Sequence, residues 1–159
     1  GKFRPGHFRG VINVINRFIE LLKPKYILLG NKDFQQLVLV KKHILKSKIE
    51  SIVIPCKTIR SKAALPFSSR NNNLDVQSKL LASKIFRLIK NEKKIIKNNK
   101  VKRITLSNLK KRIFDLGIKK IDYIEAINLY NLKKAKKFSE NFNIFSAFYV
   151  NKVRLIDNF

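Results

Sequence analysis

The chain has 159 residues, 45% of them hydrophobic, enough for a sizeable core, yet no apolar run approaches the roughly 20 residues of a membrane-spanning helix. Thirty-six Lys and Arg against ten Asp and Glu give a net charge of +26 and suggest nonspecific polyanion binding, although the cations recur along every segment amid Asn and Ile instead of forming one basic tail. Cys56 stands alone, which excludes an internal disulfide, and with only His7 and His43 beside it no zinc-ligand spacing exists, so a reducing, cytoplasmic setting without a membrane is expected.

After a loop over residues 1–10, Val11, Val14, Ile15, Phe18, Ile19 and Leu22 recur at helical spacing, and Pro24 ends the run. The short apolar stretch 26–29, closed by Gly30, predicts a strand buried on both faces of a parallel sheet. A second helix is predicted over 33–45, with Phe34, Leu37, Val38, Val40 and Leu45 on its apolar side, and a second buried strand over 51–55. Helix, strand, helix, strand in this order marks a parallel α/β sheet with crossover helices. Periodicity fails over 57–73, where small, polar and Pro residues suggest an interdomain connection and a functional loop, and the expected domains are 1–59 and 60–159.

Beyond that boundary, 74–96 predicts a long basic helix with a break near Asn91. A shorter helix follows over 106–116, with Ser107 as its cap and Gly117 as its close. Alternation then takes over: Ile121, Tyr123 and Glu125 point away from Asp122, Ile124 and Ala126. Stretches 144–150 and 153–156 make a hairpin around Asn151 and Lys152. The second domain reads as a small α+β unit with an antiparallel sheet.

Three constellations could carry chemistry. The loop RPGHFRGV, Arg4 to Val11, joins two glycines and two arginines to the start of a helix, whose free N–H groups favour an anion. His7 adds a group that exchanges protons near neutrality. The same pattern also suits an ordinary basic loop with a packing histidine. The segment GNKDFQQL, Gly30 to Leu37, lies where a buried strand ends and a helix begins, the usual ligand position in open parallel sheets. Lys32 is then placed for phosphates, Asp33 for ribose hydroxyls, a magnesium-bound water or simple capping, and Gln36 for a hydroxyl or carboxylate. In FSSRN, Phe67 to Asn71, two hydroxyls and a guanidinium form a compact oxyanion clamp on a loop able to close over a nucleotide, though an isolated SSRN is as well a polar turn.

These motifs, in this order and spacing, with IR before FSSRN and with DYIEAIN and RLIDN after it, resemble the pantothenate synthetase family over nearly the whole chain. The resemblance implies the C-terminal part of a Rossmann-like nucleotidyltransferase domain followed by a smaller α+β lid domain, usually assembled as a homodimer. It implies an ATP- and magnesium-dependent ligase that forms pantoyl adenylate, which beta-alanine then attacks to give pantothenate and AMP. By matching position, Gly30, Asn31, Lys32 and Asp33 hold ATP, with Lys32 on the phosphates and Asp33 near the ribose. Ile59 and Phe67 would meet the adenine, Ser68, Ser69 and Arg70 the phosphates, and Gln36 the pantoate. Arg4 and His7 would lie near the reacting carboxyl and the incoming amine, and Lys32, Arg70 and His7 form the expected catalytic set.

The chain also departs from the family's pattern. The family's first nucleotide-binding strand, its His-x-Gly-His loop and a pantoate-binding Gln have no counterpart, and Gly1 is followed almost at once by a motif. The expectation is therefore a truncated chain, inactive alone, with its first sixty residues poorly folded. Asn31 stands where Glu is common, and Ala63 and Ala64 stand where an Asp-Gly pair usually precedes the clamp, which should stiffen the loop. Two other readings compete: an RNA-binding or ribosome-associated protein, from the charge and twelve Phe, and a noncatalytic relative of the ligase, from Ala63 and Ala64.

Overall fold

The computed structural model describes residues 5–159, which form two compact units divided between Thr58 and Ile59. The first unit runs α1 (His7–Leu22), β1 (Tyr26–Gly30), a 3-10 turn (Asn31–Asp33), α2 (Phe34–Lys46) and β2 (Ile52–Cys56). β1 and β2 pair in parallel, Tyr26 opposite Ile52 and Gly30 opposite Cys56, with α2 as the crossover between them. Its core is thin. Leu37, Val40 and Ile44 are the buried residues of α2, whereas α1 contributes none despite its strongly amphipathic sequence.

Two expectations are corrected here. Ile44 takes the buried position assigned to Leu45, which is 81% exposed, because the buried stripe advances by three and then four residues from Leu37. The strands are not covered on both faces: Tyr26 and Leu28 on β1 lie beside Ile52 and Ile54 on β2, and all four are exposed. Continuous apolar runs imply two covering layers, but the helices of this unit cover only one side.

The second unit opens with a folded segment, 59–73, in which Arg60 bridges Pro66 and a 3-10 turn spans Ser69–Asn73. It continues with α3 (Val76–Asn98), α4 (Ser107–Asp115), β3 (Lys120–Asn128), β4 (Phe142–Val150) and β5 (Val153–Asn158). The strands form an antiparallel sheet in the order β3-β4-β5, with α3 packed on β4 and α4 on α3. One apolar core fills the space, built from Ala82, Ile85, Phe86 and Ile89 of α3, Leu109 and Ile113 of α4, and Ile124, Phe142, Ile144 and Phe148 of the sheet. Phe86 and Phe148 meet with ring centroids 5.3 Å apart, a tilted contact of the favourable kind.

Helix α3 is continuous through Asn91, contrary to the expected break. Asn91 is exposed, while Ile89 and Ile96 hold the same helix against the core on either side. Ser107 is the first residue of α4 and not its cap; Leu106 occupies the cap position without a side-chain hydrogen bond. Gly117 does close α4, at φ 93°, a conformation that glycine adopts without steric cost. In the β4–β5 hairpin Asn151 takes φ 53°, which Asn tolerates better than most residues.

Candidate active site

The first unit carries its candidate residues at the carboxyl end of β1. Gly30 ends the strand with φ −69°, and nothing lies within 4 Å of where a Cβ would stand, so the backbone here is open to close approach. Asn31, Lys32 and Asp33 form the 3-10 turn, and Gln36 lies in the first turn of α2, half-buried. Lys32 Nζ lies 3.3 Å from Asp33 Oδ2. Asp33 occupies the N-cap position of α2 but makes no capping bond, so the capping role offered by the sequence is not used; its carboxylate turns toward the ammonium instead. The first N–H groups of α2 therefore lack a side-chain cap from Asp33, at a helix end where an anion is favoured.

His7 begins α1, half-buried, with its ring 5.5 Å from that of Phe8. Gly6, at φ 74°, turns the chain into the helix through a left-handed conformation that suits glycine. Arg4 falls outside the described residues. His43 is occupied elsewhere, with Nε2 2.6 Å from Asn16 Oδ1, tying α2 to α1.

In the second unit the candidate residues lie on the 59–73 segment. Phe67 N donates to Ile59 O at 3.1 Å, so these two residues sit side by side, and both are largely exposed, at 64% and 73%. They form a small apolar platform facing solvent. Ser68 Oγ accepts from Arg70 N at 3.3 Å and caps the 3-10 turn. Arg70 Nη1 donates to Arg154 O at 3.4 Å, leaving most of its five-donor fork uncommitted to that contact. Asn71 Nδ2 bonds Pro66 O at 2.9 Å. Ser69 is exposed.

Four residues that the sequence reading left without a role form two ion pairs, one starting within this segment and one at the Arg154 that Arg70 contacts. Arg60 and Asp157 form a bidentate ion pair, and Arg154 Nε donates to Asp122 Oδ2 at 2.7 Å. Burial works against the charge of Arg154, but the hydrogen bond and the charge of Asp122 prevail and raise its pKa above the usual guanidinium value. The signal was present in the sequence: Arg60 belongs to IR, Asp122 to DYIEAIN, and Arg154 and Asp157 to RLIDN.

No group of three or more His, Cys, Asp or Glu among the described residues could hold a metal ion. Asp33 is the single carboxylate of the Gly30–Leu37 segment. One carboxylate suits magnesium that arrives on phosphate oxygens and keeps its waters, not a protein-built cage. No helix among the described residues is long and apolar enough to cross a membrane. Of the phenylalanines, Phe86, Phe142, Phe145 and Phe148 are buried, which uses them in packing and not in stacking on bases.

A parallel β-α-β unit with a cation and a helix start at the strand end, followed by an α+β unit bearing a Ser-Ser-Arg turn, defines an α/β protein whose strand end is of the kind that favours an anion. A sequence model described as pantoate-beta-alanine ligase matches residues 1–159, and the chain belongs to that family. It is 37% identical over 164 residues to pantothenate synthetase of Buchnera aphidicola subsp. Schizaphis graminum, covering 99% of this chain and 56% of the relative. It is 36% identical to that of Francisella tularensis subsp. mediasiatica, covering 100% of this chain and 52% of the relative. Pantothenate synthetase of Thermus thermophilus has the same fold, at a TM-score of 0.86 and 24% identity, over 100% of this chain and 58% of that one. The ligase of Francisella tularensis, solved with beta-gamma ATP and beta-alanine, matches at a TM-score of 0.76 and 35% identity, over 100% of this chain and 52% of that one. The chain thus spans a little over half the length of these relatives.

Proposed function

We propose that this chain supplies the ATP clamp and part of the pantoate site of an AMP-forming pantoate–beta-alanine ligase. The observation that carries this is the turn Asn31–Asp33 at the open end of β1, where Lys32 and the start of α2 favour phosphate, in a chain whose family is shown. A carboxylate is a poor acyl donor, because its charge repels nucleophiles and oxide cannot leave. In the proposed reaction a pantoate carboxylate oxygen attacks the α-phosphorus of ATP and the bond to pyrophosphate breaks. The beta-alanine amine then attacks the acyl carbon, and AMP leaves with the acyl C–O bond's electrons.

The work of the protein in such a reaction is alignment and charge neutralisation. Lys32 would face the phosphates and Asp33 the ribose, with Gly30 and Asn31 lining the approach. Gln36, one turn into α2, would offer its amide to pantoate. On the second unit, the Ile59 and Phe67 platform would take the adenine, and Ser68, Ser69 and Arg70 the departing pyrophosphate. His7 and Arg4 would serve the carboxyl and the incoming amine. Magnesium, when bound, would supply further neutralisation on the phosphates. The exposed face formed by Tyr26, Leu28, Ile52 and Ile54 supports a reading in which the reacting unit is larger, with further chain laid against this side.

The test is pantoate-dependent exchange of pyrophosphate into ATP. It is run on this chain and on this chain joined to the preceding half of the Buchnera relative. Exchange by the joined protein, with none by the chain alone, is expected; a joined protein that folds but shows no exchange refutes the assignment.

A further inference from the structure

Two motif residues without a part in the proposed chemistry, Arg60 and Asp157, hold the segment that carries the clamp. The Asp157 side chain is fully buried, and Arg60 retains 21% exposure. Arg60 Nη1 donates to Asp157 Oδ2 and, at 3.3 Å, to Ala64 O; Nη2 donates to Asp157 Oδ1 at 2.9 Å and to Asn158 O at 3.3 Å. The guanidinium lies 4.2 Å above the ring centroid of Phe159, which in turn neighbours Phe86 of the core at 6.1 Å. One planar fork thereby links the turn of the 59–73 segment to the end of β5 and to the centre of the unit.

The backbone around Arg60 follows. Ser61 N donates to Leu65 O and Ala64 N to Ser61 O, both at 2.9 Å, and Phe67 N donates to Ile59 O, so a small hairpin closes around the pinned residue. The residues proposed for ATP, Ile59 and Phe67 to Arg70, are the flanks of that hairpin. The geometry points to Arg60 and Asp157 as positioning residues: they touch no substrate, and they fix the adenine platform and the Ser-Ser-Arg turn to β5. This inference rests on the reading of the segment as an ATP clamp. It gives the stiffened loop expected from Ala63 and Ala64 a specific anchor, a clamp fixed to its own unit.

A buried ion pair is a poor contributor to stability compared with an apolar pair of similar volume, whereas removal of one partner is severe. That asymmetry separates positioning from folding. Arg60→Met and Asp157→Leu are made singly and together in the full chain and in the joined ligase. The single variants should melt early, and the double variant should recover the melting temperature of the parent. In the recovered double variant the amides of Ser61, Ala64 and Phe67 should exchange hydrogen at least tenfold faster, while those of α3 keep their protection. In the joined ligase its KM for ATP should rise about tenfold with little change in that for pantoate. Unaltered exchange at Ser61, Ala64 and Phe67 overturns the pin. Faster exchange with an unaltered KM for ATP overturns its service to the site, while absence of activity in the joined parent counts against the reading of the clamp and leaves the amide result to decide the pin.

Discussion

Ala64 adopts φ 70°, the left-handed conformation, at the tip of the hairpin around Arg60. The conformation has a purpose, since it aims the Ala64 carbonyl at Arg60 Nη1. A β-carbon in this region costs about 1–2 kcal/mol, while glycine costs about 0.5–1 kcal/mol in extra unfolded-chain freedom. Nearly the same backbone geometry can be kept by both residues, so the difference favours Ala64→Gly by about 0.5–1 kcal/mol. For a unit of this size that is an upward shift of about 2–8 °C in Tm, at about 4–8 °C per kcal/mol. The assay is calorimetric melting of the full chain, with Ala63→Gly as control. Ala63 has no positive φ, so glycine there should lower Tm. If Ala64→Gly lowers Tm as much as Ala63→Gly, the strain argument fails.

Asp75 caps α3, its Oδ1 accepting from Ser78 N at 2.7 Å, and this bond holds its pKa below 3.8. A carboxylate depressed in the folded state contributes stability above its unfolded value and loses it as pH falls through the folded one. Asp75→Asn should therefore leave Tm near pH 7 almost unchanged, since Asn caps about equally well, and should flatten the decline of Tm below about pH 4; a decline parallel to that of the parent sinks the idea. Glu140, held below 4.5 first by Asn128 and then by the N–H groups of Lys136 and Lys137, should show the same acid signature in Glu140→Gln, read in the same titration. In the joined ligase, Lys32→Ala and Arg70→Ala should each reduce kcat for pyrophosphate exchange by about 10²–10³, the usual effect of removing one charge-stabilising donor; a change confined to KM for pantoate would put both residues in the wrong role. Leu28→Lys with Ile54→Lys should reduce binding of a hydrophobic dye to the full chain without moving the melting of the second unit, and undiminished dye binding would show that the exposed patch lies elsewhere.

Much of the fold was legible because each element has a strong local signature. Gly30 and Pro24 bracket a helix end and a strand, and Gly117 marks the close of α4 through a conformation that glycine favours. Cover over the strands was not legible, since the run 26–29 reads the same whether one face or two are packed. Leu45 was misplaced for a related reason: Ile44 and Leu45 are adjacent apolar residues near a helix end, which leaves the direction of the stripe open by one residue. Asp33 shows the limit at the site. Its position at a helix start favours capping in sequence, yet the neighbouring Lys32 competes for the carboxylate and wins. Arg60 and Asp157 were visible only as motif letters, because a pair separated by 97 positions has no local pattern to announce it.

That separation also sets an order on the birth of the molecule. Residues 59–73 leave the ribosome long before β5 exists to receive them, and closing so distant a contact is slow compared with forming α3 behind it. The helix can form as it emerges, but the small hairpin has nothing to grip until Asp157, Asn158 and Phe159 have arrived. A nascent chain therefore acquires its helices first and the anchor of its 59–73 hairpin last. Any chain released short of Asp157 retains most of its secondary structure while lacking the ion pair that holds residues 59–73 to β5.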